Sequence, residues 1–388
     1  MLTAPLTLGI EEEYQLIDRE SRQLKAYIQE LLNRGKVHAE SGEIKPEFMQ
    51  SQIEMGTRVC HDVQELRGEV KRLRKEIITM GDETGIGIAA AATHPFSRWA
   101  DQAITDRERY LEFAQDMQHV IRNLLIFGMH VHIGFGDSPP QRELMITIMN
   151  QMRYFLPHIL ALSASSPFWM GEETGLKSYR SIVFKAMPRT GLPMVFASWE
   201  EYDRLIKTMA KIGALGKGND GRGDATRLWW DLRPHPKFGT LEIRICDIAT
   251  TVDEAVCIAA LLQALAAKLI TLRQNNQQWR VYPRDLIDEN KWRAVRYGTE
   301  GKLIDFGKQI EVPLPDLIDE MVDMVSDVAD ELGSLEEVSY ARTIAREGSS
   351  ADRQIRVYRD ALAQGESEEE ALRSVVDHLV RETRQGVC

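Results

Sequence analysis

The sequence predicts an α+β fold in which helices pack on one face of a largely antiparallel sheet. Three observations carry that prediction. Short segments alternate apolar and polar residues with period two, longer segments repeat their apolar residues every three or four positions, and proline, glycine and charged clusters separate the two kinds. At residues 6–16, Leu6, Leu8, Ile10, Tyr14 and Leu16 share one parity, against Gly9, Glu11, Glu13 and Gln15. Glu12 alone breaks the rule. Residues 51–57 repeat it weakly, with Ile53 and Met55 against Gln52 and Glu54. The small-residue run IGIAAAAT at 86–93 reads as a further strand, ending in a turn at His94 and Pro95. At 128–135, Met129, Val131, Ile133 and Phe135 oppose Gly128, His130, His132 and Gly134. Near 242, Leu241, Ile243 and Ile245 oppose Thr240, Glu242 and Arg244.

Helix-period stretches lie at about 61–82, 104–126, 139–162, 199–213 and 252–275. Asp137 and Ser138 followed by Pro139 and Pro140 mark a helix start, because a short oxygen side chain caps the free N–H groups and proline suits the first turn. From about 282 the pattern is helical and acidic, with Asp316, Asp319, Glu320 and Asp323 interleaved with Leu317, Ile318, Met321 and Met324. No internal repeat or Gly/Ser linker divides the chain. One domain over 1–388 is expected, with a mainly helical C-terminal part from about 252.

The chain has 388 residues, 43% of them hydrophobic and 28% charged, the profile of a folded, water-facing protein. Its 48 Lys and Arg against 59 Asp and Glu give a net charge of -11, which argues against nucleic-acid and anionic-membrane partners. A nucleotide stays compatible, because divalent cations and arginines reverse the potential locally. Cys60, Cys246, Cys257 and Cys388 form no CxxC pair, so a reducing compartment is expected. The N-terminus lacks the basic region of a signal peptide, and no segment is expected to reach the roughly 20 apolar residues of a membrane span. Cytoplasmic location follows as an expectation.

The chemistry concentrates on the polar parity of four strands: Glu11 and Glu13, Glu54, His130 and His132, and Glu242 with Arg244. If these strands are neighbours, their carboxylates converge, and like charges a few Å apart repel by roughly 1–4 kcal/mol per pair. A hard divalent cation, Mg²⁺ or Mn²⁺, suits such an oxygen-rich set with an occasional imidazole. Glu11, Glu13, Glu54, His130 and Glu242 are therefore the candidate metal ligands. Glu47 can join them only if the chain bends, since its odd spacing from Glu54 points it away in a regular strand. The bland alternative is that an acidic sheet face is simply the wet face, and that Arg244 is only a cross-strand partner of Glu242. Ser178, Tyr179 and Arg180 suit a substrate carboxylate. The glycine-rich GALGKGNDGRGD at 213–224 fails the phosphate-loop pattern, because Gly218 follows Lys217, and reads as a loop able to act as a lid. Trp229 and Trp230 read as packing aromatics, and Cys60 beside His61 lacks the third group of a nucleophilic triad.

The ordered motifs GIEEEYQLID, QSQIEMGT, THPF, GMHVHIGF, SYRS, WWDLRPHP and GTLEIRICD closely resemble the type 2 glutamate-cysteine ligase family, the carboxylate-amine ligases, over about residues 7–360. The resemblance implies a single catalytic domain of the glutamine synthetase and guanidino-kinase group, whose antiparallel sheet lines a funnel holding ATP and Mg²⁺ (or Mn²⁺). By the same resemblance, Glu11, Glu13, Glu54, His130 and Glu242 match metal ligands, and Arg244 looks like the phosphoryl-contacting residue, in a catalytic set with Glu47 and His132. His132 stands where relatives often carry another polar residue. Arg180, with Ser178, Tyr179 and Arg233, looks like the substrate-binding set. Arg353 and Gln354, in SSADRQIRVYR, resemble a cofactor-binding loop reaching back to the site. The implied activity is ATP-dependent coupling of an amino acid's side-chain carboxylate, glutamate first, to an amine such as cysteine. The implied partners are small-molecule substrates and a second copy of the chain, a dimer being the simplest homo-oligomer. The competing readings are a metal-dependent hydrolase of a small amide built on the HVH pair, and a catalytically silent nucleotide-binding paralogue.

Overall fold

The computed structural model describes residues 4–33, 43–216, 224–235 and 237–387. The expected lid at 213–224 falls largely outside them. Among the described residues, seven strands build one sheet: β1 (Leu8–Asp18), β2 (Ile44–Pro46), β3 (Gln52–Gly56), β4 (Ile86–Ala89), β5 (Met129–Gly134), β6 (Leu232–Pro234) and β7 (Thr240–Ile243). Their order is β6-β7-β5-β1-β3-β2, with β4 also paired to β1. Every pairing in this sheet is antiparallel. Strand β1 is the hub. It pairs with β5 through residues 8–12 and with β4 through residues 15–18.

One face of the sheet is apolar, as the alternation predicts. Leu8, Ile10, Tyr14, Leu16, Ile53, Met55, Met129, Val131, Ile133, Leu241 and Ile243 are all buried, each worth roughly 1.5–3 kcal/mol for its full burial. Helix α1 (Val63–Thr84) covers part of this face. Its start is fixed by Asp62, whose side chain accepts from the Glu65 N–H, and it ends where Gly85 turns left-handed at φ 74°. Glu12, the parity exception, points into this core, where Arg74 of α1 grips it while also donating to the carbonyls of Ala249 and Thr250. Both side chains of the pair are 0% exposed. Removing either partner would strand a buried charge at a cost of about 3–5 kcal/mol.

Helix α2 (Val252–Gln274) opens on a reciprocal cap between Thr251 and Glu254 and is buried on nearly every side. Its length and apolar composition satisfy the test for a membrane span, contrary to the sequence expectation. The burial of 83% of its most apolar window inside the fold explains that composition as a core helix.

Three further differences have physical causes. The 104–126 stretch breaks into Glu108–Met117 and His119–Arg122, because Gln118 adopts φ 51°, a turn that no proline or glycine announces. The 139–162 stretch starts at Pro139 on the expected Ser138 cap, then narrows to one tight turn at Arg153–Phe155 before Leu156–Ser163. Pro157, lacking an N–H, accounts for the interruption. Within the helical C-terminal part, Lys302–Asp305 and Ile310–Pro313 pair as a hairpin. There Asp305 accepts from the N–H groups of Gly307 and Lys308, the local bonding that favours a turn over a helix.

Candidate active site

The polar face of the sheet gathers the charged residues by register. Directly opposed pairs are Glu13 and Glu54, Glu54 and Lys45, Glu11 and His130, His132 and Glu242, and Glu242 and Arg233. Opposed residues project to the same side of an antiparallel ladder, so Glu11, Glu13, Glu54, His130, His132, Arg233 and Glu242 form one surface. Glu47 joins through the bend that the sequence required: it follows β2 in the connection to β3, where Tyr110 Oη stands 3.5 Å from its Oε2.

The two ends of this surface differ in charge balance. At one end Glu242 is nearly enclosed between arginines. Arg233 donates to it from Nε at 2.7 Å and from its terminal nitrogen at 3.3 Å, and Arg244 donates at 2.5 Å. Burial would raise the Glu242 carboxyl, but Arg244 and Arg233 outweigh it and hold the group well below the usual range. Burial also works on Glu11, and the hydrogen bond from His130 together with His132, whose Nε2 stands 3.8 Å away, reverses it and keeps the carboxylate ionised. His130 lies 3.1 Å from Glu11, and burial together with Arg244 presses its pKa down to about 4. His132 shifts the other way, because Glu11 and Glu242 outweigh burial. Its Nδ1 is 3.0 Å from the Thr240 hydroxyl, whereas its Nε2 is buried without a hydrogen-bond partner. Ligand atoms of Glu11, His132 and Glu242 lie within 4.8 Å of one another.

At the other end the acids are short of cations. Burial and the facing Glu54 raise the Glu13 carboxyl to about 7. Glu54 is raised by burial and by Glu11 and Glu47, although Lys45 Nζ stands 2.9 Å from it. Glu47 is raised by burial and by Glu13. Three carboxyls that burial and one another push up, against Lys45 on Glu54 and the weaker pull of Arg180 and Arg244 on Glu13, make an oxygen-only donor set that fits a hard divalent cation.

Arg180 borders the same end. Its guanidinium lies against Gly128, where an added Cβ would stand 2.5 Å from its terminal nitrogen, and the Gly128 N–H donates to Glu13 at 2.6 Å. Ser178 sets this arginine rather than facing the cluster: its hydroxyl donates to Asp247, which also accepts from the Ser165 N–H and the Ser166 hydroxyl. Arg180 and Arg244 each keep a buried Nε without a hydrogen-bond partner. Tyr179 packs its ring on Trp169. His94 of THPF accepts from the Ser97 N–H through one ring nitrogen and lies 2.8 Å from the Arg22 carbonyl through the other, which is a turn-building role.

Arg353 and Gln354 are not brought to the cluster. Arg353 is taken up by Glu254, on the core helix α2, and by Glu382, while Gln354 donates to the Ser165 carbonyl. The expected loop is the first turns of helix α3 (Ser350–Ala363), capped by Ser349 and packed against the helix at Glu368–Glu382, so these two side chains have structural partners. Two residues that sequence reasoning did not single out belong to the site's frame. They are Lys45, which faces Glu54 from the three-residue strand β2, and Asp247, just beyond β7.

The family described as glutamate-cysteine ligase family 2 matches residues 7–378. A protein from Herpetosiphon aurantiacus provisionally named glutamate–cysteine ligase 2 is 50% identical over 99% of this chain and 94% of its own length. One of the same provisional name from Roseiflexus castenholzii is 50% identical over 99% and 96%. Among solved structures, a glutamate–cysteine ligase from Francisella tularensis in complex with AMP superposes with a TM-score of 0.66 at 13% identity, covering 100% of this chain and 90% of that one. A bifunctional glutathione synthetase from Pasteurella multocida superposes at 0.65 and 13% identity, covering 98% and 53%. At such identity the two structures speak for the fold alone.

Proposed function

The chain belongs to glutamate-cysteine ligase family 2 and is an ATP-dependent carboxylate-amine ligase, and from that premise we propose that it activates the side-chain carboxylate of glutamate as an acyl phosphate. An amine, cysteine or another amino compound, then attacks the acyl carbon to form the amide, and phosphate leaves. The observation that carries this reading is the charge division of one sheet face. Carboxyls short of cations at Glu13, Glu47 and Glu54 adjoin arginine donors at Arg180 and Arg244. Phosphoryl transfer needs positioning and charge neutralisation more than a protein nucleophile, and among the described residues the cluster holds no Cys or Ser poised for attack.

Glu13, Glu54 and Glu47, with Glu11, His130 and Glu242 along the same surface, would hold Mg²⁺ or Mn²⁺. A divalent ion there supplies charge neutralisation for phosphate oxygens. Arg244, steadied by Glu242 at 2.5 Å, aims its spare Nε–H at the developing charge on the transferred group. Arg180, fixed by the Asp247 network, offers its free Nε–H to the substrate carboxylate. Arg233 spends its donors on Glu242 and on the carbonyls of Thr226 and Leu228. Its role is therefore to set Glu242 rather than to meet substrate. The funnel reading draws support from Phe113, which touches Phe48 beside the β2–β3 edge and Trp229 beside the β6 edge. Unpaired thiols at Cys60, Cys246 and Cys257 support a reducing, cytoplasmic setting.

The test is ADP release from MgATP with glutamate plus a panel of amines including cysteine, read with the mass of the product. ADP formation that depends on both partners is expected. Hydrolysis of a small amide without ATP, or nucleotide binding with no turnover on any pair, would overturn the proposal in favour of the competing readings.

A further inference from the structure

The turn between β6 and β7 carries an aromatic pair that the charged cluster does not use. The rings of His235 and Phe238 lie face to face, with centroids 4.2 Å apart and planes 5° from parallel. The backbone N–H of His235 donates to Thr240 at 2.8 Å, extending the ladder by one residue and keeping His235 in the parity of Arg233. Its ring stands 5.5 Å from that of His132, whose unpartnered Nε2 is 3.8 Å from Glu11. The stack therefore adjoins the cluster directly.

Phe238 is 63% exposed. A phenylalanine on a loose turn would collapse onto nearby apolar surface, but the backbone next to Phe238 is held at Gly239. The Gly239 carbonyl accepts from the N–H groups of Phe135 and Gly136 at 2.9 and 3.0 Å. Gly239 itself takes φ +60°, and a Cβ there would meet the Gly136 backbone at 2.9 Å. A ring kept in water by a fixed backbone, with one face on an imidazole and much of its surface uncovered, is preorganised for a flat ligand.

We propose that the Phe238–His235 stack is the platform for the nucleobase of the nucleotide substrate, with the phosphate chain running past His132 toward Glu11 and Glu242. This rests on the ligase reading above. Of glutamate, cysteine and ATP, only ATP has a planar π-face to lay on such a stack. Base–aromatic stacking needs no hydrogen-bonding match, which suits a solvent-facing rim.

The experiment is calorimetric titration of the full-length protein in Mg²⁺ with two probes, ADP and inorganic tripolyphosphate. Phe238→Ala is expected to weaken ADP binding about 5- to 10-fold and to leave tripolyphosphate binding and the melting temperature unchanged. Phe238→Trp should restore ADP affinity to within about twofold of the parent. Parent-like ADP binding by Phe238→Ala, or equal loss of both probes, overturns the platform while leaving the ligase reading intact. A parent protein that binds neither probe brings down both.

Discussion

The two ends of the polar sheet face are built from the same residue type and do opposite things with it. Around Glu242, two arginines match the buried carboxylate almost bond for bond, so the group is ionised and fixed before any ligand arrives. Around Glu13, Glu47 and Glu54 the acids push one another toward protonation, and Lys45 with the neighbouring Arg180 and Arg244 does not offset it. The balanced end is set in place before it meets a ligand. The unbalanced end is held in a state that a cation would relieve, and its strain is the mark of function.

The sharpest way to break this contrast is to neutralise one acid at each end and compare stability with turnover. Glu13→Gln or Glu54→Gln is expected to lower ADP formation by about 10²–10³-fold or more. Cation-free stability should hold or rise, because a repulsive charge has gone. Arg233→Ala should instead destabilise the fold by about 3–5 kcal/mol, since Glu242 is left buried with one partner fewer. Chemical denaturation alongside the ADP assay reads both. If the acid variants unfold as readily as the arginine variant, the two ends are not different in kind.

A smaller effect, set by pH, sharpens the same comparison. Glu13 ionises near 4.5 in an ordinary setting and near 7 in the fold, so the folded protein holds this proton longer than the unfolded chain. Its contribution to stability is complete below about 4.5 and is lost as pH climbs to about 7. Glu47 and Glu54 shift in the same direction. Glu11 and Glu242 shift downward, so their contribution is lost only on acidification below the ordinary carboxylate range. Without divalent ions the melting temperature should therefore fall between pH 5 and 7. The rise on adding Mg²⁺ should be larger at pH 8 than at pH 5.5, because binding must displace the shared protons. A Mg²⁺ effect independent of pH would assign the cation elsewhere, and Glu13→Gln should flatten the slope.

How much of this was legible in the sequence follows from which interactions are local. Period-two spacing decides the face of a strand residue, so Glu11, Glu13, Glu54, His130, His132, Glu242 and Arg244 could be placed on one polar parity before any pairing was known. The register that sets Glu13 opposite Glu54, and Glu242 opposite both His132 and Arg233, is a long-range result that no local pattern encodes. Lys45 escaped because a three-residue strand is too short to declare a period. The Asp247 network escaped because its serines come from residues 165, 166 and 178, far away in the chain. The hairpin at Lys302–Asp305 was hidden inside acidic, helix-like composition, where one aspartate-capped turn outweighed the surroundings.

Arg353 tests where the polar face stops, and it carries the smallest expected effect. A family likeness drew it toward the nucleotide, yet its guanidinium is spent on Glu254 and Glu382, on the side of the sheet where Arg74 holds Glu12. The sheet and its apolar residues then separate this pair from the charged cluster, and a short, directional interaction cannot act through them. Arg353→Met should lower thermal stability, because two buried carboxylates lose their common partner. The KM for ATP should stay within about twofold of the parent, a binding change of under about half a kcal/mol. A tenfold rise in that KM at unchanged stability would mean that helix α3 does reach the nucleotide during turnover. The balanced and unbalanced ends would then be parts of a larger site that closes from behind the sheet.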